Sequence, residues 1–63
     1  MNRWIGEAIG LMHINKIQAK EVAKHIGITP EYFSMIMNDK KKPKNAEQKI
    51  MKAISEIIAA KNT

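Results

Sequence analysis

The stretch from Gln18 to Asn38, QAKEVAKHIGITPEYFSMIMN, constrains the fold more than any other part of the chain. Its first half places apolar side chains at Ala19, Val22, Ala23 and Ile26, one face of a 3.6-residue period. Its second half, Pro30 to Asn38, places Phe33, Ile36 and Met37 on one face, with Tyr32 and Met35 off it. Gly27 lies between the two patterns and stops the first, because a residue without Cβ enters the left-handed region freely. Thr29 is a natural N-cap for the second. Pro30 then occupies the first helical position, where no N–H is needed. Two short helices joined by three residues that include a glycine form the helix-turn-helix pattern.

The flanking segments are also helical. Asn2 caps a first helix from about Arg3 to His13, in which Ile5, Ala8, Ile9 and Met12 recur at three- and four-residue spacing beside Leu11. Gly6 and Gly10 weaken that helix or admit a neighbour, and Trp4 is either a lid over the core or an exposed anchor. Asn15 or Lys16 takes the left-handed conformation that ends it. Gln18 opens the second helix, with Glu21 three residues on as a partial capping box. Asn38-Asp39 signals a turn, and Lys40, Lys41, Lys42 and Lys44 around Pro43 form a solvated loop. Asn45 and Gln48 make a capping box for a last helix from Ala46 to about Ala60. Ile50, Ala53, Ile54 and Ile57 share one face of it, and Met51 and Ile58 widen the stripe.

Sixty-three residues make one small domain, and such a chain buries only about 60% of its unfolded surface. The 44% hydrophobic and 27% charged content is that of a globular chain, and without cysteine no disulfide or thiolate site supplements the core. All-α is the expected class. No apolar run nears the ~18 residues of a membrane span and no signal-peptide core opens the chain, so the expectation is a cytoplasmic protein with no membrane partner. Isolated His13 and His25 offer no metal site. Ser34 lacks a His/Asp arrangement, and no glycine-rich phosphate loop occurs, so neither an enzyme nor a cofactor or small-molecule ligand is expected. A net charge of +5 points to a polyanionic partner.

The run from Ile17 to Thr29, with Glu21, Ala23 and Gly27 between apolar 17, 22, 26 and 28, resembles the Xre/Cro/C1-type helix-turn-helix family of phage repressors and Cro proteins. Apolar Phe33 and Ile36 and a loop opening at Asn38 extend the likeness to about residues 3–58. The resemblance implies a lambda-repressor-like four-helix domain that binds operator DNA as a transcriptional regulator. The family often adds a short fifth helix, which here is expected to be merged into the fourth or absent. It also often opens the second helix with Thr or Ser and then a phosphate-contacting Gln. Here Gln18 stands one position earlier and Ala19 takes the usual place.

In such a motif the second helix enters the major groove with its N-terminal residues facing base edges. By position Pro30, Glu31 and Met35 match the family's main base-reading sites, with Thr29, Tyr32 and Ser34 flanking and Asn38 also outward. Pro30 and Met35 can touch a thymine methyl, and Glu31 can accept from a cytosine N4 amine or simply favour the helix N-terminus. Tyr32 can bond a phosphate through its hydroxyl. Between Asn38 and Lys52 six lysines (40, 41, 42, 44, 49, 52) face Asp39 and Glu47, a local +4 suited to phosphates. The surplus apolar residues Met51, Ile57 and Ile58 suggest a homodimer through the last helix. The competing reading is a protein-interaction module using Ile57, Ile58 and Trp4 as an apolar patch.

Overall fold

Residues 2–62 are described in a computed structural model, and their regular structure is four α-helices: α1 (Arg3–Ile14), α2 (Ala19–Ile26), α3 (Pro30–Met37) and α4 (Ala46–Lys61). The class is all-α, and α4 runs unbroken over 16 residues. α4 packs on both α1 and α2, and α2 packs on α3. Between them lie Ile5, Ala8 and Met12 of α1, Val22 and Ala23 of α2, Phe33, Ile36 and Met37 of α3, and Ile50, Ala53, Ile54 and Ile57 of α4. Ile17, from the first connection, completes this core. No described polar or charged side chain is buried with it, so cohesion comes from apolar burial. The radius of gyration of 10.8 Å agrees with the roughly 10.6 Å of a collapsed chain this long.

One end device recurs in the first three helices. After α1, Lys16 is left-handed (φ 57), Ile17 N–H donates to Met12 O at 2.8 Å, and Lys16 N–H donates to His13 O at 3.3 Å. After α3, Asp39 (φ 63) does the same, with Lys40 N–H on Met35 O at 2.8 Å and Asp39 N–H on Ile36 O at 3.0 Å. These are Schellman closures, which satisfy the last carbonyls of each helix. Gly27 (φ 97) ends α2, with Gly27 and Ile28 N–H both donating to Ala23 O.

The N-termini correct several expectations. Asn45 is left-handed (φ 63, ψ 23) and makes no side-chain cap bond, so no capping box opens α4. It instead closes a turn in which Ala46 N–H donates to Pro43 O at 3.2 Å, whereas an N-cap side chain bonds inward from extended backbone. Asn2 and Gln18 are extended at their caps but form no side-chain cap bond. Glu21 pairs with Lys61 at 3.7 Å rather than folding back on Gln18. Beside it His25 Nε2 donates to Glu56 Oε1 at 2.7 Å, a second exposed link from α2 to α4. Such pairs contribute little stability, at most about 1 kcal/mol.

Ile9 leaves the expected stripe and is 46% exposed, at a groove that it lines with Met12, Ile17, Phe33 and Met37. Ala19 is exposed as well. On α4, Ile57 is buried, and Met51 and Ile58 are half-buried against the core together with Trp4. The surplus read along α4 is therefore used mostly within the chain. The exposed large apolar side chains are Ile9, Ile14 and Met35.

Candidate nucleic-acid interface

α3 is fixed at both ends and along its buried face. At its start Thr29 is extended, and its Oγ1 accepts from Tyr32 N–H at 3.0 Å with Pro30 at the first position. This is the cap that the sequence predicts. At its end Asn38 Nδ2 donates to Ser34 O at 2.8 Å and to Ser34 Oγ at 3.3 Å, and Lys41 N–H joins Lys40 N–H on Met35 O. Phe33, Ile36 and Met37 are buried between these ends. Pro30, Glu31, Ser34, Met35 and Asn38 therefore project outward from a rigid rod, and all are exposed.

Tyr32 is placed differently from its exposed neighbours. It is half-buried against the core and lines a groove with Ile26, Ile28, Ile50, Lys44 and Lys49. A second groove is lined by Gln18, Lys20, Glu21, Lys24, Thr29 and Pro30, and Ile28 is the one lining residue the two share. The first turn of α3 thus stands between two grooves, each edged by two lysines. Gln18 comes to the same groove as Thr29 and Pro30 although 11 positions separate it from Thr29. Glu21, the acidic residue of that groove, is engaged by Lys61.

The lysine loop does not act as one block. Lys40, Lys41, Lys42 and Lys44 are all exposed, and half-buried Pro43 anchors the loop near Ile36 and Ala46. Lys44 joins Lys49 at the Tyr32 groove, whereas Lys41 and Lys42 line a recess with Asp39 and Glu47, where carboxylates offset their charge. In place of Lys41 and Lys42 the structure brings Lys20 and Lys24 of α2 to the start of α3, two residues the sequence reading leaves out. Their signal is a spacing of four on the polar face of the helix that precedes α3. Among the described residues no three His, Cys, Asp or Glu side chains gather as a metal site would need, and no helix is long and apolar enough to cross a membrane.

The chain matches no protein-family model, no curated protein and no solved structure.

Proposed function

We propose that the chain is a sequence-specific double-stranded DNA-binding regulator of the repressor or Cro-like kind. In this reading α3 enters the major groove by its capped first turn, and lysines on either side grip the sugar-phosphate backbone. The observation that carries it is the placement of that turn between two lysine-edged grooves, Lys20 and Lys24 along one and Lys44 and Lys49 along the other. A base-reading helix needs cationic support on its flanks, because phosphates border the groove it enters. The resemblance to the Xre/Cro/C1-type family adds the same reading from the sequence side. Regulation follows from operator occupancy, with no chemistry on the DNA. One module buries little surface, so two copies on half-sites about one helical turn apart supply useful affinity at physiological salt.

The test is a titration of labelled protein with short duplex DNA at low and moderate salt, followed through backbone amide shifts. Residues 18–35 with Lys44 and Lys49 are expected to move. Affinity should fall with a log–log salt slope of about −3 to −4 for each bound copy, from roughly −0.9 per phosphate contact over four lysines. Shifts confined to α1 and the far end of α4, or a flat salt dependence, would overturn the reading.

A further inference from the structure

We infer that α3 reads pyrimidine edges, with Glu31 accepting from a cytosine N4 amine and Met35 contacting a C5 methyl beside it. This rests on the DNA-binding reading above. The neutral polar side chains of the outward face are largely committed to the helix itself. Thr29 Oγ1 takes the Tyr32 N–H, and Asn38 Nδ2 is shared between the carbonyl and hydroxyl oxygens of Ser34. Exposed on this face with no side-chain hydrogen bond among the described residues are Pro30, Glu31 and Met35. Glu31 is exposed and has no hydrogen bond or ion pair from its carboxylate among the described residues. Met35 is 39% exposed on a helix whose other large aliphatic side chains are buried.

Four positions separate Glu31 from Met35, so their Cβ atoms are neighbours on one helix face, about 5–6 Å apart. A group that only accepts hydrogen bonds therefore stands beside a flexible apolar chain. In the major groove guanine offers acceptors alone, and the adenine N6 amine stands next to the N7 acceptor, so both repel a carboxylate. Cytosine offers the N4 donor without a neighbouring acceptor on its own edge, and the C5 position of thymine offers a methyl. The matching chemistry is an amine next to a methyl. A cytosine adjacent to a thymine supplies it, and so does one 5-methylcytosine.

The experiment selects bound duplexes from a random pool with the full chain. Each thymine of the tightest duplex is then replaced by deoxyuridine and each cytosine by 5-methylcytosine. Affinities are measured by fluorescence anisotropy for wild type, Met35→Ala and Glu31→Gln, with thermal melting to verify that the variants fold. One thymine-to-uracil change should weaken wild-type binding about fourfold, the value of one buried methyl group, and leave Met35→Ala unaffected. That outcome assigns the methyl to a neighbouring thymine, whereas a similar tightening by 5-methylcytosine assigns both groups to one base. Glu31→Gln should relax the preference for cytosine at the adjacent position. If wild type binds the duplex yet ignores every uracil and every added methyl, the pyrimidine reading falls and DNA binding stands. If no duplex is recovered at low salt, DNA binding falls first.

Discussion

The α2–turn–α3 unit and the loop from Asp39 to Asn45 are neighbours in the chain, yet different physics holds each in place. The unit is fixed by apolar burial at Val22, Ala23, Phe33, Ile36 and Met37, by a left-handed glycine, and by a threonine cap. The loop has two half-buried residues, Asp39 and Pro43, its ends at Asp39 and Asn45 are left-handed, and its lysines are all exposed. The comparison teaches that buried apolar residues set the shape of the unit, whereas the loop contributes exposed charge and little packing. Substitutions at the buried positions of the unit should therefore act on folding, whereas substitutions of the exposed loop lysines should leave folding intact and act only through the proposed DNA contacts.

The largest effect is expected from Phe33→Ala. Phe33 is 1% exposed and the largest fully buried side chain, and its truncation should cost about 3–5 kcal/mol, a large share of a small domain's stability. Urea unfolding followed by circular dichroism measures this, and a loss under about 1 kcal/mol would mean that α3 is not anchored through that ring.

A smaller loss is expected at the turn. A Cβ on Gly27 would meet nothing within 4 Å, so only its left-handed φ of 97° opposes Gly27→Ala. The cost should be about 1–2 kcal/mol, measured by the same unfolding curves. A much larger value would indicate crowding that the backbone geometry does not contain.

The smallest stability change belongs to the loop. Replacing Lys41, Lys42 or Lys44 with Gln should leave stability within about 0.5 kcal/mol. The binding effects should separate, because Lys44 lies with Lys49 whereas Lys41 and Lys42 share a recess with Asp39 and Glu47. Lys44→Gln is expected to reduce the salt slope by about 0.9, as one phosphate contact would, with less change for the other two. Equal slopes for all three would restore the view of the loop as a single cationic block.

Much of this molecule is legible in its residues taken in order. Gly27 and Thr29 act where local conformational chemistry puts them, and the buried faces of α3 and α4 follow the 3.6-residue period. Local pattern fails at Ile9, since a stripe does not reveal which of its flanks a neighbour will cover. It also fails at Asn45, a good cap by residue type. There the turn from Pro43 comes with a left-handed backbone in place of the extended one a cap needs, and the side chain makes no cap bond.

The sequence by itself determined four helices, the three-residue turn with its glycine and cap, and an outward face on α3 with Pro30, Glu31 and Met35. Each of these depends on residues within a few positions of one another. Only the tertiary structure decided that Lys20 and Lys24 flank α3, that Gln18 shares a groove with Thr29, and that the loop lysines divide between two environments. It also chose Lys16 over Asn15 as the left-handed residue, which lets Ile17 turn into the core with its N–H on Met12 O. The physical reason is common to all of them. Proximity between distant residues is set by how α2, α3 and α4 pack, and that packing is a property of the assembled core.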